Sequence, residues 1–348
     1  MSEQKHSLRQ YLINLCIILV LSGIVVWIVF KNHAIAIIPI LKNANPLYMI
    51  LIVGMMILIR IIIGYNLMRL ARMNHPNYRL SQGIINSFVG GFFNMITPSE
   101  SGGQFVQAYL FKKQGIPLAS GASILWSDFM TYQITMVSMV LLLIFLRFGM
   151  FYQNYSQYFI FVIFGFIVNA MVILGLWALV RFPKFYHWLT TKGVGLGAKL
   201  KLIRNPEETR KNLEKQVDTF AKEANNLRKH PTLIMMLLFT NGVRLLLYYS
   251  IPFFCAKALH IPVTSKQLLD IIALTSFVTV INAFLPMPGS SGGTEATFVL
   301  MFSTIFSAPQ ASSIMIVWRF LTYYIMLIIS GLVSLYAKLQ KEEVVEIR

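Results

Sequence analysis

Long continuous runs of apolar residues, separated by short polar and basic stretches, dominate the chain. A helix needs roughly 20 apolar residues to cross a hydrocarbon core of about 30 Å. Tyr11 to Phe30, Leu47 to Leu67, Ala119 to Leu146, residues 158–180, a segment opening near residue 231 and Ala311 to Tyr336 reach this length, which predicts six full spans. Two further apolar segments differ. Leu80 to Ile96 is at the short limit and runs into Thr97-Pro-Ser-Glu-Ser-Gly-Gly103, and Leu268 to Leu285 runs into Pro286-Met-Pro-Gly-Ser-Ser-Gly-Gly-Thr-Glu295. Turn-forming residues after such segments predict that the chain doubles back. Pro98, Gly102, Gly103, Pro286, Pro288, Gly292 and Gly293 would form the two re-entrant turns.

Charge decides between crossing and returning, because loops rich in Lys and Arg stay on the cytoplasmic side during insertion. Arg181 to His230 carries twelve Lys or Arg against five Asp or Glu. It falls inside only if Leu80 to Ile96 returns, which also places Lys112 and Lys113 inside. A second return after Leu285 brings Lys338, Lys341 and Arg348 inside. The expected fold is an all-α polytopic membrane protein with six full transmembrane helices plus two re-entrant hairpins, its N- and C-termini cytoplasmic. Ordinary solvent loops at the two Pro-Gly stretches are the alternative, and the charge distribution opposes it. Irregular backbone at membrane depth is tolerated only where protein or a wet cavity satisfies it, so the hairpins imply an interior polar site.

Composition agrees with this reading. The 348 residues are 56% hydrophobic and 12% charged, with a mean hydropathy of +0.65. The net charge of +17 sits between spans rather than on a basic stripe with stacking aromatics, so no nucleic acid partner is expected. Cys16 and Cys255 both fall in predicted spans, which leaves no disulfide framework or CxxC site. The histidines lack metal-ligand spacing, so neither a metal nor a cofactor is expected. The first apolar run lacks a small-residue cleavage site before Lys31 and should remain as a transmembrane helix. Trp126, Trp177 and Trp318 read as packing or interfacial anchors, and Pro206 to His230 as a cytoplasmic surface helix.

The two halves repeat. Arg60-Ile-Ile-Ile-Gly-Tyr65 resembles Arg244-Leu-Leu-Leu-Tyr-Tyr249, and Asn94 and Pro98 are spaced like Asn282 and Pro286. Pro98-x-x-x-Gly102-Gly103 matches Pro288-x-x-x-Gly292-Gly293, and Asp128-Phe-Met-Thr-Tyr132 matches Arg319-Phe-Leu-Thr-Tyr323. The four matches keep their order at offsets of 184 to 191 residues. Repeat units of about 47–146 and 231–337 within one membrane domain, joined by a span at 158–180 and a basic segment at 181–230, would be inverted in the topology above. That architecture is common among alternating-access transporters.

Arg60, Arg244, Arg319 and Asp128 lie within predicted spans, with Glu100 and Glu295 at the hairpin turns. An ionised group at bilayer depth costs roughly 2.5 to 3.5 kcal/mol on insertion scales, so these groups must face one another or a cavity. One reading is a salt-bridge network that only holds the helices together. The other is that the three arginines bind a lipid phosphate, since guanidinium donates bidentate hydrogen bonds to phosphate oxygens, with helix starts after Gly103 and Gly293 adding free amide donors. Asp128 and Arg319 stand at matched positions with opposite charge, which suggests that they face each other.

The two hairpin motifs, Thr97-Pro-Ser-Glu-Ser-Gly-Gly103 and Leu285-Pro-Met-Pro-Gly-Ser-Ser-Gly-Gly-Thr-Glu295, resemble those of the lysylphosphatidylglycerol synthase transmembrane-region family, also described as flippase-like. The resemblance extends from about Leu8 to Leu339. The first motif departs from the commoner form by its Ser-Glu-Ser before the glycine pair. Membership implies a multi-pass protein of the bacterial cytoplasmic (plasma) membrane and a lipid translocase, moving an anionic or aminoacylated phospholipid such as lysyl-phosphatidylglycerol between leaflets. A membrane phospholipid is the partner this implies, with a second copy of the chain or a separate lipid-modifying enzyme as further ones. Alternatives are a phosphatidylglycerol lysyltransferase-family enzyme or subunit, whose soluble transfer domain is not expected here, a translocase for a polyprenyl-phosphate carrier, a small-solute transporter, and a structural assembly partner.

Overall fold

The computed structural model describes residues 42–97, 102–155, 206–282 and 293–339, with residue 40 and scattered positions between 167 and 192. The expected spans at Tyr11 to Phe30 and 158–180 lie outside the described residues, apart from those scattered positions. So do Pro98, Glu100, Pro286, Pro288 and Gly292.

Every described element is helical: α1 Pro46–Ala71, α2 Leu80–Ile96, α3 Gly102–Lys113, α4 Leu118–Leu146, α5 Phe148–Tyr155, α6 Pro206–Asn226, α7 Pro231–Ala258, α8 Leu268–Asn282, α9 Gly293–Phe302, α10 Ala308–Arg319 and α11 Ile325–Leu339. A π-helical turn, Phe320–Tyr324, joins α10 to α11 without a break. Four helices among the described residues are long and apolar enough to cross a membrane: α1, α4, α7 and the continuous Ala308–Ala337, of 26, 29, 28 and 30 residues. They expose large apolar side chains such as Ile50, Phe145, Phe239 and Leu332, as helices whose solvent is hydrocarbon do.

Local chemistry sets the ends of these helices. Asn45 accepts from the Leu47 amide at 2.9 Å ahead of Pro46, an N-cap followed by proline in the first turn. Thr264 with Gln267, and Ser307 with Gln310, form capping boxes. Helix α3 stops where Gly115 turns left-handed at φ 86° and the Ile116 amide reaches back to Phe111 O. His260, at φ 55°, ends α7 in the same way, with Ile261 bonded to Ala256 O.

The chain divides into two compact units. The first comprises Met1–Arg60, Phe88–Gln104 and Leu246–Lys341, and the second Ile61–Ser87, Phe105–Leu245 and Glu342–Arg348.

In the first unit α8 packs on α9 and α9 on α10. Phe298 and Phe302 stack at 4.0 Å, and Phe298 also stacks on Trp318 at 5.0 Å. The Gly102 amide donates to Thr97 Oγ1 at 2.9 Å and the Gly103 amide to Asn94 Oδ1 at 2.8 Å, so the chain turns back on itself between α2 and α3.

In the second unit the same two helices run antiparallel. Asn86 and Gln107 each donate to the other's backbone carbonyl at 3.4 Å, while Gln114, further along α3, donates to Gln82 O, earlier on α2. Gly64 and Gly83 allow their backbones to approach so closely that a Cβ on either would strike main-chain atoms. Buried Leu67, Tyr78, Phe111, Ile124 and Leu237 form an apolar cluster here. Burial raises the Tyr78 phenol well above its usual range, and its hydroxyl donates to Gln114 Oε1 at 2.7 Å. Helix α6, the expected surface helix, packs along the start of α4, with Ser120 donating to Glu223 at 2.7 Å and Trp126 edge-on to Phe220 at 6.1 Å.

Candidate functional site

Each unit holds a buried arginine over the face of a tyrosine, with a carboxylate whose charge acts on it. In the first unit Arg319 Nε donates to Glu295 Oε1 at 2.9 Å, and both side chains are nearly inaccessible. The guanidinium lies 4.6 Å from the centre of the Tyr323 ring, and Tyr323 donates its hydroxyl to Met95 O at 2.8 Å. Arg319 ends the regular α10, and Tyr323, four residues on, belongs to the π turn. Such turns recur at functional sites because they reset the facing of the side chains that follow.

In the second unit the motif residues exchange roles. Asp128 and Tyr132 stand four apart on α4, and α7 supplies the arginine. The Arg244 guanidinium lies 4.1 Å from the Tyr132 ring centre and acts on the Asp128 carboxylate through its charge, with Asn66 beside it. Asp128 Oδ1 is shielded from solvent. An amide and hydroxyl network backs this triad. Thr240 donates to Asn66 Oδ1 at 2.8 Å, Asn66 to Asn241 Oδ1 at 3.4 Å, and Asn241 to Thr131 Oγ1 at 3.4 Å. Fully paired buried polar groups of this kind hold their helices in one register.

The expected site residues therefore fall in three places. Arg319 and Glu295 meet directly, and Arg244 joins Asp128. Arg60 lies in the first unit with its guanidinium against Gly91, where a Cβ would collide with it. The expected Asp128–Arg319 pairing joins residues of different units, and within its own unit each has another partner. The Gly102 and Gly103 amides themselves are taken, because Thr97 and Asn94 accept from them. A Cβ at Gly103 would meet Asn94 Oδ1 and Gly90 O, so glycine is needed there to let the capping side chain in. Gly293 opens α9, two residues before Glu295.

Sequence reasoning passed over Asn66, Asn241, Thr131 and Thr240, whose amide and hydroxyl side chains in apolar runs were the available signal. Tyr132 and Tyr323 stood out only as repeat markers. Among the described residues no group of three or more His, Cys, Asp or Glu is arranged to hold a metal ion.

The family model described as "Lysylphosphatidylglycerol synthase TM region" matches residues 14–330. Comparison with curated proteins and with solved structures gives no match.

Proposed function

Because the chain is a multi-pass membrane protein that belongs to the lysylphosphatidylglycerol synthase transmembrane-region family, we propose that it moves an anionic or aminoacylated phospholipid between the leaflets of a bacterial plasma membrane, with Arg244 and Arg319, each within its own unit, offering a site for the lipid phosphate. The proposal includes the topology of six full spans, two re-entrant hairpins and cytoplasmic termini.

The observation that carries it is the geometry around Arg319. Glu295 accepts a charge-assisted bond from Nε of this guanidinium at 2.9 Å. A phosphate can make two parallel bonds to a guanidinium edge, and such forked pairs are stronger and better oriented than single ones. The tyrosine faces under Arg319 and Arg244 stabilise each cation by about 0.5 to 2 kcal/mol without saturating its hydrogen-bond donors. Each arginine is thus held by partners that a phosphodiester can displace.

The test is transfer of headgroup-labelled phospholipid between leaflets in proteoliposomes. Transfer above that of empty vesicles is expected, and Arg244→Gln or Arg319→Gln should abolish it. A well-folded preparation that moved no lipid across several headgroups would overturn the reading.

The Arg319–Glu295 pair also favours a second reading, in which the charges only clamp the helices together. The double substitution Glu295→Leu with Arg319→Leu separates the two. A stable double variant that still transfers lipid supports the clamp, and a stable one that has lost transfer supports phosphate binding.

A further inference from the structure

Two hydrogen-bond donors beside the Arg319–Glu295 pair have no acceptor. Thr294 Oγ1 and Trp318 Nε1 are buried with no hydrogen-bond partner, in residues only 3% and 2% exposed. A buried N–H or O–H left unpaired is costly and uncommon in native proteins, so each such group calls for an explanation. Val in place of Thr294 would fill nearly the same space without that cost, and an apolar aromatic could supply the stack that Trp318 makes on Phe298. Packing alone therefore does not account for either polar atom.

Both donors belong to one locality. Glu295 follows Thr294 on α9, Arg319 follows Trp318 on α10, and the 2.9 Å ion pair pins those neighbours together. A second contact ties the same two helices. Phe298 lies one turn after Thr294 on the same stripe of α9, and its ring stacks on Trp318 at 5.0 Å and 25°. One helical turn is about 5.4 Å of rise, so Thr294 stands about that far along α9 from the ring stack. The locality thus presents a hydroxyl, an indole N–H and a guanidinium, and the acceptor already there is the carboxylate of Glu295.

We propose that Thr294 and Trp318 complete a donor subsite around Arg319 for the phosphate and glycerol-ester oxygens of a phospholipid, with Glu295 as the resident acceptor that the lipid displaces. The inference rests on the phosphate reading of Arg319 and adds to it the part of the lipid that this unit reads. A donor array has no use for an ammonium group. The first unit therefore recognises the phosphoglycerol portion, which lipids with different headgroup substituents share.

The test uses the purified full chain in detergent, with dioleoyl-phosphatidylglycerol and dioleoylglycerol as probes, read by native mass spectrometry and by thermal melting. Thr294→Val removes one donor while keeping the shape, and Trp318→Phe removes the other while keeping an aromatic ring for Phe298. The wild-type chain should bind the phospholipid at least tenfold more tightly than the diacylglycerol. Each variant should lose about tenfold in phospholipid affinity, the scale of one hydrogen bond to a charged group, with diacylglycerol binding unchanged. Lipid-free melting of Thr294→Val should be unchanged or higher, because an unpaired buried donor has been removed, whereas Trp318→Phe also leaves a cavity and should melt lower. Wild-type phospholipid affinity in both variants and in their combination would overturn the inference while leaving Arg319 as the phosphate site. Lower lipid-free melting of Thr294→Val with unchanged preference for the phospholipid would also overturn it, by showing that this donor serves the protein's own fold. A wild-type chain with no preference for the phosphate would overturn the reading of Arg319 itself.

Discussion

The two triads use the same three side-chain types with the parts redistributed. In the second unit the motif Asp128-Phe-Met-Thr-Tyr132 supplies the acid and the aromatic face from a regular helix, and the arginine comes from α7. In the first unit Arg319-Phe-Leu-Thr-Tyr323 supplies the base and the aromatic face through a π turn, and the acid comes from α9. Opposite charges at matched positions are thus each complemented inside their own unit, by a residue of another helix. The surroundings differ as well. Asp128 sits beside an amide and hydroxyl network, whereas Arg319 and Glu295 sit among aromatic rings. The pair walled by rings has fewer polar groups to turn to if one member is lost.

That contrast sets an order of expected effects on stability, measured by denaturant or SDS titration of the purified protein. The largest should follow Glu295→Gln, which strands a nearly inaccessible guanidinium and should cost about 3 to 5 kcal/mol. Asp128→Asn is milder, at about 1 to 3 kcal/mol, since its neighbours include Asn66 and its side chain is only half-buried. Exchanging Asp128 and Arg244 should recover part of that loss. A larger cost at Asp128 than at Glu295 would break the comparison.

Glycine replacements sharpen it at the backbone level. Gly91→Ala in the first unit and Gly83→Ala in the second should each cost about 1 to 3 kcal/mol by overpacking. The reasons differ, because the added methyl meets the Arg60 guanidinium in one case and Gly64 O in the other. The Gly91 variant should therefore also lose lipid transfer in proteoliposomes if Arg60 serves the site, while the Gly83 variant keeps it at a temperature where the fold survives. Gly54→Ala, with nothing within 4 Å of the added methyl, is the unaffected reference.

The smallest effect belongs to a tyrosine hydroxyl. Tyr323→Phe keeps the ring under Arg319 but loses the 2.8 Å bond to Met95 O, and should cost about 1 kcal/mol. A loss as large as that of Glu295→Gln would mean that the hydroxyl, and not the carboxylate, is the main tie in this unit.

By itself the sequence determined the helical character, the four long apolar helices among the described residues, and the place where α2 stops. It also marked Arg244, Arg319, Asp128 and Glu295 as residues that must have partners. These properties are local, since apolar run length, Pro-Gly turns and capping side chains act within a few residues along the chain. Only the tertiary structure decided who pairs with whom. Arg319 finds its carboxylate 24 residues away, and Asn66 finds Asn241 at a separation of 175. Such choices depend on which helix faces meet and on rotamers set by packing, such as the room Gly91 leaves for Arg60 or the π turn that brings Tyr323 beneath Arg319. The sequence therefore showed that each buried charge needs a counter-charge, and the packing of helices distant in the chain selected which one it has.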